Sequence, residues 1–454
     1  MAARIVGDRM TLAVVPPDPE LAAQMRTAAR AIFDHALAEC GIPRAFARQV
    51  QLLDGLLQVG GRNYDLSRFS QVAVTAIGKA GHTMTEALAN IVPGKLQGIV
   101  SCPTAPSHPV DGFRYFVGGH PMPNKDSLRA GEAILAILRE LPADALALFC
   151  ISGGASAIAE WPLDQSLTLS DVVANNRALV HSGAPIAEIN AIRKHLSAIK
   201  GGRMAEAAFP ATQLSLLVSD VPDRALDALA SGPTMPDTST VADCYAIADR
   251  YDILPSFPAS VRSSFQNRQL QETPKPGDPA FANSHFLTLL SNHTAVTAAE
   301  ERARTLGFAG SVDNSCDDWD YALAADHLLA ELRQLRRQQP RVCLISGGEV
   351  TVKVGAESGK GGRNQQFALY CAEKIKGEAI TVLSAGTDGI DGNSPAAGAL
   401  VDGATLANAA ALRLDPQQAL AAFDAFPLFD AIGEAILTGP TGNNVRDLRV
   451  LLAY

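Results

Sequence analysis

Paired cysteines, aromatic residues and long apolar runs are all scarce in this 454-residue chain, and each scarcity removes a class of protein. No stretch approaches the roughly 20 apolar residues a membrane helix needs. The N-terminus offers only Thr11–Val15 before the proline- and acid-bearing run 16–20, too short for a secretory signal. Seven cysteines (Cys40, Cys102, Cys150, Cys244, Cys316, Cys343, Cys371) are widely spaced with no C-x-x-C, so reduced thiols in a cytoplasmic protein are expected. A concentration of positive charge is missing too: 38 basic residues face 47 acidic ones, for a net charge of −9, which argues against a nucleic-acid surface. The one basic cluster, RQLRRQQPR (333–341), reads as the exposed end of a helix.

Common nucleotide and metal signatures are absent as well. Lys79, Lys95 and Lys360 each follow a glycine, but none is followed by the Ser or Thr that a P-loop uses to hold Mg²⁺. No G-x-G-x-x-G follows an early strand, and there is no H-E-x-x-H or zinc-spaced Cys/His set.

What is present has an α/β rhythm. The length predicts two domains, and 37 glycines with only 6% aromatics suit aliphatic strands and many strand-to-helix turns. Helix-period apolar positions run through 20–40 (Leu21, Met25, Ala28, Ile32, Leu37), within a first segment of about 19–60. Short aliphatic runs then end in Gly, Ser or Asp at 71–81, 145–156, 213–223, 341–350 and 379–392, each reading as a buried strand that opens into a polar loop. In open α/β sheets ligands bind beyond such carboxyl ends. The proline-rich stretch 271–284 is the expected boundary between domains at 1–272 and 280–454, with HFLTLLSN (285–292) restarting as the second domain's first strand.

The loops hold the chemistry. Lys79 in IGKAG stands just past a strand, where an ammonium can bridge phosphate oxygens or simply be solvated at a helix start. ISGGASA (151–157) and ISGGEV (345–350) read either as phosphate cradles or as tight turns; with GKGGRN (359–364) they point together to phosphate chemistry. INAIRKHLSAIKGGR (189–203) spaces Arg193, Lys194, His195, Lys200 and Arg203 so that one helical face could gather charge for an anion, with His195 either structural or a proton carrier. Asp220, Asp223, Asp388 and Asp391 lie at strand ends and suit either Mg²⁺ or helix capping; metal chemistry is favoured for Asp220 and Asp388. Arg363 is the expected working charge of GKGGRN, with a helix from about Gln365 lending its positive end.

The order of these pieces resembles the class II glycerate kinases, the glycerate 2-kinase family whose C-terminal half is the MOFRL domain. The matching stretches are GHPMPNKDSLRAGEAIL (119–135), SGGASA, INAIRKHLSAIKGGR, SDV…ASGPTMPDTST (219–240), SGGEVTVKV, GKGGRNQQFAL, AGTDGIDGNSPAAGA and TGPTGNNVRDL (438–448). The resemblance implies two α/β domains, the first with a mostly parallel Rossmann-like sheet flanked by helices, and an active site in the interdomain cleft. It implies ATP-dependent phosphorylation of D-glycerate at the 2-hydroxyl with Mg²⁺ or another divalent cation. Lys79 matches the lysine of the family's GKA motif and Arg363 the arginine of its GGRN motif. On this reading Lys79, Arg363 and Asp220 are catalytic, and Asp220 and Asp388 hold metal. Ser152, Gly153, Gly154, Ser156, Ser346, Gly347, Gly348, Glu349 and Lys360 surround the nucleotide, while Arg193, Lys194 and Asn190 meet the hydroxyacid. The expected partners are a small hydroxyacid and a nucleotide, without nucleic acid or membrane, a homodimer being an option. Two departures stand out: Arg224 and Asn124 occupy positions that are commonly acidic in the family. Some relatives carry hydroxypyruvate reductase labels, a chemistry the missing dinucleotide fingerprint argues against.

Overall fold

The computed structural model describes residues 18–94, 96–355 and 358–454; Thr11–Val15 and Glu357 lie outside them. The strands are β1 (Val50–Leu53), β2 (Leu56–Val59), β3 (Arg62–Asp65), β4 (Gln71–Ile77), β5 (Gln97–Cys102), β6 (Phe113–Val117), β7 (Ala145–Ser152), β8 (Thr212–Val218), β9 (Ser284–Leu290), β10 (Ala309–Val312), β11 (Val342–Gly347), β12 (Ile380–Gly386), β13 (Gly398–Asp402), β14 (Ala435–Ile436) and β15 (Asp447–Ala453). All five aliphatic runs read from the sequence are among them.

The chain divides into two compact units. The N-terminal unit spans Glu39–Thr294 and Gly442–Val445; the C-terminal unit takes the described residues up to Ala38, Ala295–Thr441 and Arg446–Tyr454. This differs from a boundary at 271–284, for a hydrogen-bonding reason. β9 does restart after the prolines, but it pairs in parallel with β8 and so completes the first sheet rather than starting a second. The first helix (Pro19–Glu39) buries Met25, Ala29, Ile32, Phe33 and Ala36 with Val296, Ala299, Leu383 and Val450, inside the C-terminal unit's core.

The N-terminal unit is built on six strands in the order β6-β5-β4-β7-β8-β9, every neighbouring pair parallel. All eight residues of β7 are buried, as expected of a central strand covered on both faces. The order is that of a doubly wound sheet, and it reverses between β4 and β7. Beside it β1, β2 and β3 form an antiparallel meander, where the sequence suggested that the helical rhythm continued to about 60. Its two-residue turns, Asp54–Gly55 and Gly60–Gly61, take left-handed backbone conformations, a hairpin signal that is visible in the sequence.

The C-terminal unit has a mixed sheet, β10-β11-β15-β12-β13-β14. The last strand, β15, runs antiparallel between β11 and β12, pairing Gly347 with Leu448 and Gly386 with Asp447. The start of β15 therefore sits beside the carboxyl ends of both neighbours. That topology gathers residues 346–349, 386–388 and 446–449 at one edge of the sheet. Among the described residues no helix is long and apolar enough to cross a membrane.

Candidate active site

In the N-terminal unit the turns after β4 and β7 meet at the switch point. Lys79 N–H donates to the Gly153 carbonyl at 2.9 Å, and Ala80 N–H to Ser152 Oγ at 3.0 Å, so the two turns are stitched together. The Lys79 side chain is exposed. The backbone N–H groups of Gly153, Gly154, Ala155 and Ser156 find no acceptor among the described residues. Backbone donors beside an ammonium make a concave positive surface suited to an anion.

Asp220, one residue past Ser219 at the end of β8, closes on this turn. A Cβ added to Gly153 would stand 1.9 Å from Asp220 Oδ2, so only glycine lets the carboxylate come this near. A phosphate and a carboxylate at one turn repel each other unless a cation lies between them, and Mg²⁺ prefers such oxygen donors. His120, to which the sequence reading gave no role, has its ring 3.0 Å from where a Gly154 Cβ would be. Burial and the neighbouring Lys79 hold this histidine below its ordinary pKa. The GHP stretch was its only signal.

The basic run 189–203 does not present one shared face. Lys194 is buried and ion-paired to Asp237 at 3.1 Å and Asp227 at 3.0 Å, while Lys200 is buried against Glu160. His195 Nδ1 meets the Ala191 carbonyl at 2.8 Å, a structural role within its helix. Arg203 donates to the carbonyls of Gln271 and Glu272, and Arg193 Nε donates to Asn176 Oδ1 at 3.2 Å. Helical spacing brought the charges near one another, but burial requires each to find its own partner. Asn190 accepts from Ser231 Oγ at 3.3 Å, and Ser231 meets Ser156 Oγ at 2.8 Å, which ties Asn190 to the 152–156 turn.

Asn124 has a structural explanation. Its Oδ1 accepts from Ser127 N–H at 2.9 Å as the cap of helix Lys125–Arg139, while its Nδ2 donates to the Val117 carbonyl. An aspartate could supply the first bond but would turn a second lone pair on Val117. Arg224 is exposed.

In the C-terminal unit the second glycine turn is already filled. Gly347 N–H donates to Asn314 Oδ1 at 2.8 Å and Glu349 N–H to Asp317 Oδ1 at 3.0 Å. Ser346 Oγ is buried with no hydrogen-bond partner among the described residues. The positive end of the following helix is occupied as well. That helix starts at Arg363, and the buried Asp391 carboxylate accepts from Asn364 N–H at 3.1 Å and Gln365 N–H at 2.9 Å. Burial pushes the Asp391 carboxyl up to about 6 despite these donors. The glycines of GKGGRN make room for the chain's own carboxylates, Gly359 for Asp424 and Gly362 for Asp391.

Arg363 sits in a network the sequence reading did not foresee. Its Nε donates to Asp447 Oδ2 at 2.6 Å, and Nη2 to Asp447 Oδ1 at 3.1 Å and Glu349 Oε1 at 2.8 Å. Burial works against its charge, but Asp447 and Glu349 hold its pKa above the ordinary arginine value. Glu349 is pushed up by burial and by Asp447. Arg446 grips Asp317 with two nitrogens at 2.6 and 2.9 Å, and Arg449, fully buried, lies 3.8 Å from Asp447. The alternation in NNVRDLRV was the available signal, but nothing in it says which carboxylates meet which arginines. Arg363 also lines a cavity of about 510 Å³ with Asp388, Asp391, Gln366, Ser358 and Asn393. Lys360 Nζ lies over the Phe426 ring at 4.6 Å, and Asp388 Oδ1 accepts from Ile390 N–H at 3.1 Å.

A doubly wound parallel sheet with a basic glycine turn at its switch point, joined to a mixed-sheet unit, defines a two-domain α/β enzyme. Residues 28–266 match the domain of unknown function DUF4147, and residues 342–447 match the MOFRL family. The D-glycerate 2-kinase of Thermotoga maritima is 35% identical over 83% of this chain and 89% of its own length. A protein of Agrobacterium vitis provisionally named hydroxypyruvate reductase is 38% identical over 84% of this chain and 86% of its own. The crystal structure of the Thermotoga maritima glycerate kinase superposes with a TM-score of 0.83 at 32% identity, covering 95% of this chain and 100% of that one. The chain belongs to the DUF4147–MOFRL family, which includes glycerate kinases.

Proposed function

We propose that the protein transfers the terminal phosphoryl group of ATP to the 2-hydroxyl of D-glycerate, giving 2-phosphoglycerate and ADP. The observation that carries this reading is the switch-point turn: exposed Lys79 beside backbone donors at 153–156 that have no acceptor among the described residues. Phosphoryl transfer depends mostly on positioning and charge neutralisation, and an ammonium with a ring of N–H groups supplies both.

Lys79 and the N–H groups of the 152–156 turn contact phosphate oxygens. Asp220 is the carboxylate best placed to hold Mg²⁺ there, since it lies against Gly153; Asp388 is the second candidate. The cation supplies charge neutralisation on the phosphates. Two protein carboxylates at most would match the way Mg²⁺ usually keeps water and phosphate in its shell. Arg363 acts through the one guanidinium nitrogen, Nη1, that Asp447 and Glu349 leave without a partner among the described residues. Ser346, Gly347, Gly348, Glu349 and Lys360 support that arginine rather than wrap a phosphate. Arg193 and Asn190 remain candidates for the hydroxyacid; Lys194 acts from within its ion pairs as a positioning group.

The test is ADP release from ATP and Mg²⁺ with D-glycerate, L-glycerate and hydroxypyruvate, with the phosphorylated position read by phosphorus NMR. ADP with D-glycerate and phosphate on carbon 2 is expected. Oxidation of NADH or NADPH by hydroxypyruvate without ADP formation would overturn the reading, as would ATP binding with no turnover on any of the three.

A further inference from the structure

The C-terminal unit carries a cluster that phosphoryl transfer does not use. Asp313 follows directly on β10, and three residues later Cys316 turns into the core, fully buried. Across from them, helix Tyr321–Gln338 presents His327 and, one turn on, Glu331. His327 Nε2 lies 2.8 Å from Asp313 Oδ2 and 3.8 Å from Glu331 Oε2. A donor atom of Asp313, of Cys316 and of His327 all lie within 4.8 Å of one another, the only such group of His, Cys, Asp or Glu among the described residues.

We propose that Asp313, Cys316, His327 and Glu331 form a structural Zn²⁺ site. Thiolate, imidazole and carboxylate are the ligands zinc takes, four at a time, whereas Mg²⁺ and Ca²⁺ prefer oxygen alone. The ligands are already oriented. Ser315 N–H holds Asp313 Oδ1 at 2.8 Å, which leaves Oδ2 to face the imidazole, and the Trp319 ring packs against His327 with centroids 5.4 Å apart. Such outer contacts fix ligand geometry in metal sites. The donor set is mixed: two carboxylates converge, a single imidazole faces both, and a thiol closes the back.

The site also has something to hold. Between its two loop ligands and just after them, Asn314 and Asp317 accept the N–H groups of Gly347 and Glu349, and Asp317 grips Arg446. Zinc tying 313–316 to the helix would fix the loop that supports the arginine network.

The test uses the full chain, stripped of metal and free of nucleotide. Co²⁺ is titrated with absorption as the readout, and Zn²⁺ by calorimetry. One ion per chain is expected, with a near-ultraviolet thiolate-to-cobalt band that Zn²⁺ abolishes. Cys316→Ser should remove that band. His327→Ala, at a solvent-facing helix position that leaves folding intact, should weaken Zn²⁺ binding about tenfold or more. No saturable binding overturns the proposal, and so does a cobalt band unchanged in Cys316→Ser or an affinity unchanged in His327→Ala.

Discussion

The turns at 152–156 and 346–349 begin with the same three residues, Ser-Gly-Gly, and each ends a buried strand. Their surroundings make them opposites. Around the first, four N–H groups have no acceptor among the described residues and Lys79 stands exposed beside them. Around the second, Asn314 and Asp317 have taken the N–H groups, and the adjacent Arg363 is held by two carboxylates. A glycine turn is therefore a permissive backbone, not a phosphate site in itself. What decides its use is whether the rest of the fold satisfies its donors.

The largest effect expected from this contrast is at Lys79. If Lys79 neutralises the moving phosphoryl group as proposed, Lys79→Ala should lower kcat with D-glycerate by about a thousandfold. The melting temperature should stay within a degree or two, because the side chain is exposed. Near-normal turnover would break the comparison at its first term.

Arg363→Ala should behave differently. It removes both guanidinium bonds to the buried Asp447, so both activity and stability should fall. The loss in urea unfolding should be about 2–3 kcal/mol, below the full cost of orphaning a buried carboxylate, because Arg449 stays 3.8 Å away and Arg363 is partly solvated. Arg363→Lys restores the charge but not the two-pronged grip, and should recover stability only in part. A variant that loses activity with no change in unfolding would show the arginine is held less firmly than its partners suggest.

The two turns can be compared directly by adding one methyl group to each. In Gly153→Ala the new Cβ meets Asp220 at 1.9 Å, which forces the 152–156 turn and the carboxylate apart. A displacement of that kind should cost about a hundredfold in kcat. In Gly348→Ala the backbone angle of +90° and the 2.7 Å approach to Asp317 act on folding instead, at about 1–2 kcal/mol, with a smaller change in rate. Equal losses of rate in the two variants would mean that both turns carry phosphate.

The sequence made the strands at both turns legible, because aliphatic runs ending in Gly, Ser or Asp are local signals. It also identified the family, and it singled out Lys79 and Asp220, which the fold brings to the turns after β4 and β8. It did not show which unit an element would join. The first helix is periodic wherever it packs, and β9 reads as a strand whether it starts one sheet or ends another; only the pairing with β8 decides. The arginine network was hidden for a related reason. Arg446, Asp447 and Arg449 alternate along one strand, but their partners come from positions 317, 349 and 363, contacts with no periodicity to read. Asp391 looked equally suited to metal or to capping, and long-range folding made it a cap.

That cap gives the finest test of the contrast, since it asks whether a helix end already filled by the chain's own carboxylate behaves as filled. Burial raises Asp391 from the ordinary 3.8 to about 6, so between those values the folded state binds more protons than the unfolded one. Stability contributed by this group is then full below about pH 4, falls as pH rises toward 6, and is flat beyond. A shift of about two units corresponds to roughly 3 kcal/mol across that window. Carbon-13 NMR of the aspartate carboxyls should show one midpoint near 6, absent in Asp391→Asn, and that variant should lose the corresponding slope of stability against pH. A midpoint near 4 would mean that the Asn364 and Gln365 N–H groups offset burial in full, so that this helix end holds an anion without net cost.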